Sequence, residues 1–304
     1  MSDLLHWLGD PFRDPFMRRA LIEALVMGAV TGALGAFVVV RGLAFIGDAL
    51  SHAVFPGIVI AFLFGQNFFV GGLLFGLLTS FGIGVVSRNR RISEDTAIGV
   101  LFAGAFALGV TLISTQRTYT RDLASFLFGN VLGVSTSDLL IAVVLGALVL
   151  IGVALFYKEL LLNAFDPTMA AALGYPTFLL DLLLLALITV TIIVALPAVG
   201  NILVLAMLVT PAATARLLVE RFAPLLALAG LLGMAFGLVG LFIAFRANLA
   251  AGGTIVLTGT AVFILTLIVS PRHGALRWLA VRRGDSEDAA ADDGLGIVVA
   301  ERGG

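Results

Sequence analysis

The sequence predicts an all-α polytopic membrane protein of about nine transmembrane helices, with eight to ten allowed by its length. Three observations lead there. Of the 304 residues, 60% are hydrophobic and only 12% are charged, roughly half the charge that a soluble domain carries on its surface. The apolar residues fall in long unbroken runs, near the ~20 residues that cross a bilayer as a helix. They do not alternate with polar residues as barrel strands do. A formal net charge of −1 offers no handle for nucleic acid, and the absence of cysteine removes disulfides and thiolate metal ligands.

The elements follow in order. Residues 1–19 mix polar and aromatic side chains and read as an amphipathic surface segment. They lack the charged stretch and apolar core of a cleavable signal. Residues 20–271 form the membrane domain. Its candidate spans are Leu21–Val40, Leu43–Phe64, Phe68–Val86, Ala97–Ser114, Leu139–Phe156, Phe178–Leu196, Ile202–Leu218, Leu225–Phe245 and Ile255–Val269. The span after Val199 opens on Gly-Asn and contains Pro211, a pattern for a broken or re-entrant helix, and Gly129–Ser137 offers a short partial helix. Glu23 at the start of the first span is expected to snorkel. Asp138 and Asp181 sit near span ends within reach of water, and Asn201, Thr210 and Asn248 read as interhelical hydrogen-bond partners. Residues 272–304 turn basic and then acidic, with too little apolar surface to fold alone.

With an external N-terminus, 12 of the 18 basic residues fall on the cytoplasmic side, which favours N-out, C-in. Glycines such as Gly28, Gly32 and Gly35 recur within the spans at spacings that let helices approach closely.

Chemistry concentrates in Arg41-Gly-Leu-Ala-Phe-Ile-Gly-Asp48-Ala-Leu-Ser-His52-Ala-Val-Phe-Pro56-Gly57. Asp48 and His52 stand four apart and share one helix face. Counted from Arg41 at the membrane edge, His52 lies about 16 Å deep, near mid-bilayer. A carboxylate and an imidazole are costly there unless they meet a polar path or a partner. Together they can ligate one divalent ion. They can equally tie two helices together. His52 is the one histidine of three that lies within a span, and Pro56-Gly57 can loosen the helix behind it.

The segment Tyr157–Thr177, YKELLLNAFDPTMAAALGYPT, is of another kind. Asp166-Pro167 reads as an N-cap followed by proline at the first helical position, Thr168–Leu173 as a short helix, and Gly174 as its stop. A short apolar helix outside the bilayer calls for a protein partner or for packing on the base of its own chain. The chain has no G-x-x-x-x-G-K-[ST] for nucleotide phosphates and no H-E-x-x-H. No second carboxylate is placed to work with Asp48 as an acid–base dyad. An enzyme is not expected.

Four blocks in order carry a family resemblance: GDALSHAVFPG (Gly47–Gly57), SEDTAIGVLFAGAFALGVTLIS (Ser93–Ser114), FDPTMAAALG (Phe165–Gly174) and AVGNILVLAMLVTPAATARLL (Ala198–Leu218). From about Phe16 to Pro271 the chain closely resembles the manganese/zinc/iron permease family of bacterial ABC importers. One departure is Pro197, where many relatives carry a polar residue before Ala-Val-Gly.

The resemblance implies a type II importer fold similar to the vitamin B12 permease, working as a dimer of permease chains, with a homodimer favoured. It implies an inner-membrane protein with a cytoplasmic C-terminus. Separate ABC ATPase subunits would hydrolyse Mg-ATP, and an extracytoplasmic metal-binding protein would deliver the ion. No cofactor would be bound by this chain itself. Asp48 and His52 would contact the transported metal, manganese or zinc before ferrous iron. Phe165, Asp166, Pro167, Ala172, Leu173 and Gly174 would form the coupling helix in the ATPase cleft. Two other readings remain: a proton-coupled secondary metal transporter, which would need no docking helix, and an ABC permease for a metal chelate.

Overall fold

In the computed structural model, residues 14–88, 91–115 and 135–270 are described, apart from the side chains of 197–199 and 201–202. Eleven helices account for nearly all of them: α1 (Pro15–Val40), α2 (Ile46–Ala53), α3 (Phe55–Leu63), α4 (Phe68–Ser87), α5 (Glu94–Ile113), α6 (Thr136–Leu155), α7 (Tyr157–Phe165), α8 (Pro167–Ala172), α9 (Thr177–Leu218), α10 (Phe222–Ala247) and α11 (Ala251–Val269). Their starts are written in the sequence. Pro15 opens α1. Asn67 accepts a hydrogen bond from the Phe69 amide, and Ser93 accepts one from the Thr96 amide. Ser135 and Asp138 close a reciprocal capping box at α6. Each cap satisfies amides that the first helical turn leaves without partners.

The long helices are apolar on every side, so packing rather than amphipathicity selects which become central. Fifteen residues of α1 are buried. Its Leu34 and Phe37 join Leu50, Ile188, Ile192 and Leu208 in one core from which solvent is excluded. Small residues set the approach of α1 and α10: Gly28 and Gly32 face Gly233, Ala229 and Gly230 backbone to backbone. The outer helices α4, α5, α6 and α11 expose Leu74, Val100, Leu148 and Leu257, a surface suited to lipid.

Among the described residues, eight helical stretches are long and apolar enough to span a membrane, and the Leu203–Leu218 arm is a shorter ninth. The expected break after Val199 is real. Gly200 adopts φ 74°, ψ 165°, a region that essentially only glycine enters, and α9 reverses there. Asp181 on one arm pairs with Arg41, while Arg216 on the other donates to the Val39 carbonyl. A continuous helix would hold those two side chains ~50 Å apart. The same end receives Ser270, which donates to the Leu217 carbonyl, whereas Arg19 reaches Thr136 at the opposite end. The described chain therefore begins α1 at one end and finishes α11 at the other, which requires an odd number of traverses. The short arm supplies it.

Several finer expectations change. The first helix begins at Pro15, so residues 15–19 are part of it. Glu23 does not snorkel: it lies two turns inside α1 and is 2% exposed. A carboxylate on so short a stem cannot reach the interface from there. Asp181 sits near a span end and is a third exposed, as expected, and it also forms an ion pair with Arg41. Asn248 caps α10 in the left-handed conformation, φ 53°, instead of joining helices. The surface segment before residue 14, most of Gly129–Ser137 and the tail 272–304 lie outside the described residues, as does the side chain of Pro197.

Candidate functional site

The Asp48/His52 pair is built by a short, interrupted span. Helix α2 ends at Val54, and α3 restarts with Pro56 at its second position. Proline has no N–H to give the His52 carbonyl its i+4 hydrogen bond, and the break follows from that. Ile46, Ala49, Leu50 and Ala53 bury one face of α2. Asp48 and His52 occupy the other, their side chains 36% and 23% exposed.

His52 Nε2 stands 3.6 Å from Asp48 Oδ1. That is too long for a hydrogen bond. It is short enough for one ion about 2.1 Å from each donor to fit between them. The rings of Phe102 and Phe106 on α5 flank the imidazole, with centroids 5.7 and 5.2 Å away.

Asp48 also lines a cavity of about 460 Å³ between α2 and α5, with Asp95, Phe45, Ile98 and Phe102 in its wall. Asp95 was not singled out by sequence. It follows the Ser93 cap in the first turn of α5, where a carboxylate already has a helical reason to be. Among the described residues no group of three or more His, Asp or Glu is placed to hold a metal. One chain thus offers two donors at the pair.

The predicted short helix is present, one residue earlier than expected. In α8 the Asp166 side chain accepts from the Met169 amide at 2.8 Å. The far end closes with Tyr175 N–H to the Ala170 carbonyl and Gly174 N–H to the Ala171 carbonyl, both at 3.0 Å. These two bonds form a Schellman motif, with Gly174 at φ 85°. Ala170 is buried, and Phe165, Asp166, Pro167, Ala172, Leu173 and Gly174 are all exposed. Phe165 nonetheless keeps an edge contact with Phe222, centroids 6.0 Å apart. The element is a rigid knob with its apolar side chains outward. Beneath it, Asp181 Oδ1 accepts from both Arg41 Nη1 and Asn163 Nδ2, each at 2.7 Å. The sequence reading had assigned neither Arg41 nor Asn163 a partner.

An apolar bundle with a partly exposed polar pair along its span, and an outward-facing knob at one end, fits a membrane permease. The chain belongs to the ABC 3 transport family, which residues 13–270 match. It is 42% identical over 276 residues to the manganese transport system membrane protein MntC of Halalkalibacterium halodurans, covering 91% of this chain and 94% of that protein. It is 43% identical over 262 residues to the manganese import system permease protein ScaB of Streptococcus gordonii, covering 86% and 94%. The structure of PsaBC from Streptococcus pneumoniae in complex with Fab superposes with a TM-score of 0.80 at 38% identity, covering 92% of this chain and 99% of that one. The expected family and all-helical polytopic fold are both borne out.

Proposed function

We propose that this chain is the membrane path of an ATP-driven importer for a divalent transition metal, with manganese as the first candidate. The observation that carries the reading is the 3.6 Å separation of His52 Nε2 and Asp48 Oδ1 on the open face of α2. Relatives named for manganese transport support the choice of metal. Oxygen and nitrogen donors without thiolate suit manganese, zinc and ferrous iron alike.

Two donors from one chain make an incomplete shell, so a second copy is the natural source of the rest. Two Asp–His pairs facing each other would give four donors, enough to accept an ion and weak enough to release it. The outward knob of α8 is read as the coupling helix for a separate ATPase subunit, which supplies the Mg-ATP chemistry. The α8 end is then cytoplasmic, as is the C-terminal end of α11. An extracytoplasmic binding protein would deliver metal to the opposite end, in the inner membrane of a bacterium.

The test is metal accumulation by cells co-expressing the chain with its genomic neighbours, wild type against Asp48→Ala and His52→Ala. Loss of uptake with the ATPase still co-purifying is the expected result. Unchanged uptake in both variants would return the pair to a helix-tying role.

A further inference from the structure

The ATPase-facing knob and the Asp48/His52 pair lie on different helices, and something must carry motion from one to the other. The structure places one set of polar side chains between them. Asn163 is on α7, three residues before the Asp166 that caps α8. Asp181 is on the first arm of α9, one turn beyond its start at Thr177. The Asn163–Asp181 hydrogen bond thus closes the base of the knob from both sides. The same Asp181 oxygen holds Arg41, the C-cap residue of α1, and the turn after Arg41 leads straight into α2 with its Asp48 and His52. Glu94, the first residue of α5, lies within the electrostatic field of both Arg41 and Asp181. Helix α5 is also the one that presents Phe102 and Phe106 to the imidazole.

One carboxylate therefore touches the knob and, through Arg41, reaches the turn that leads into α2; Glu94 at the start of α5 is attracted to the same Arg41 and repelled by Asp181. Its setting makes the connection stiff. Asn163 is 2% exposed and the Arg41 and Asp181 side chains are 14% and 32% exposed, so the two donors are largely shielded while the carboxylate keeps one open side. Charge-assisted contacts of short length and partial burial resist displacement by water. A shift of α7 and α8 must drag Asp181, and with it Arg41.

We propose that Asp181, Arg41 and Asn163 are positioning residues for transport: they transmit displacement of the α7–α8 knob to the helix carrying Asp48 and His52. This rests on reading α8 as the ATPase-facing element and the pair as the metal path. The linkage is mechanical, and none of the three residues contacts the ion.

The test uses the assembled transporter, co-expressed with its ATPase and binding protein and reconstituted in vesicles. ATP hydrolysis and uptake of radiolabelled manganese are measured on the same preparation. Asp181→Asn keeps the side-chain shape and removes the charge. Hydrolysis is expected to stay close to wild type while metal moved per ATP falls ~10-fold, a coupling effect of ordinary size. The exchanged pair Arg41→Asp/Asp181→Arg is expected to recover a substantial part of that ratio.

Hydrolysis and uptake falling in parallel would mean that the cluster merely holds the fold, and would overturn the proposal. An unchanged ratio would overturn it too. If Asp181→Asn does not assemble, Arg41→Gln is read in its place with the same expectation, because it removes the charge from the other side of the same ion pair. Asp48→Ala and His52→Ala in the same vesicles separate the two levels. If they retain uptake, the metal-path reading fails; if they lose it while Asp181→Asn keeps the wild-type ratio, only the linkage fails.

Discussion

The close approach of α1 and α10 gives the sharpest stability prediction. A Cβ built on Gly28 would lie 2.4 Å from both the carbonyl carbon and oxygen of Gly233. Carbon contacts settle near 3.5–4.0 Å, so Gly28→Ala must push the two backbones about 1 Å apart at that level, or slide one past the other. Backbone atoms cannot swing aside as a side-chain tip can. Overpacking of a tight interface costs about 1–3 kcal/mol. The better helical propensity of alanine returns about 0.5–1 kcal/mol, leaving a net loss of about 0–2.5 kcal/mol, centred a little above 1, by that balance. The control is Gly253→Ala in α11, where a Cβ would meet nothing within 4 Å and only the propensity gain applies.

The assay is thermal unfolding of the purified transporter in detergent, followed by the folded fraction recovered on size exclusion. Gly28→Ala should melt clearly below wild type, and Gly253→Ala at or slightly above it. Gly28→Ala/Gly233→Ala should cost less than the sum of the two singles, because once the helices have parted the second methyl finds room. A Gly28→Ala protein that melts like wild type would refute the claim that glycine is required at this crossing.

Three further outcomes follow from other parts of the fold. Asp166→Ala removes the acceptor of the Met169 amide and should cost α8 about 0.5–2 kcal/mol. It should weaken ATPase co-purification while the melting of the bundle is unchanged. Thr189→Val breaks the 2.6 Å hydroxyl contact with Ser80 between α9 and α4; such bonds average only about 0.6 kcal/mol within a membrane, so the melting point should barely move. Leu34→Ala empties a fully buried position in α1 and should destabilise by about 2–5 kcal/mol, read as lost folded yield after solubilisation.

The two candidate sites were legible in the sequence for different reasons. Asp48 and His52 stood out because ionisable groups at mid-bilayer are costly, and their i, i+4 spacing required a shared helix face. The α8 knob was legible because capping is local: Asp166, Pro167 and Gly174 act within a turn of themselves. Glu23 was misread, since its burial depends on α1 starting at Pro15 and on α6 lying alongside. Asp95 was passed over because the first turn behind the Ser93 cap already accounts for a carboxylate there, and the Arg41–Asp181 contact was missed because its partners are distant in sequence.

The sequence by itself determined that this protein lives in a membrane, which residues cap its helix starts, and that Asp48 and His52 share one face of a span. Those properties follow from composition, chain length and chemistry within one helical turn. Only the tertiary structure decided the backbone contact of Gly28 with Gly233 and the convergence of Arg41 and Asn163 on one Asp181 oxygen. In a chain whose spans are almost uniformly apolar, hydrophobicity cannot choose neighbours. Steric fit between small residues and the few available ion pairs make that choice, and both exist only once the helices have met.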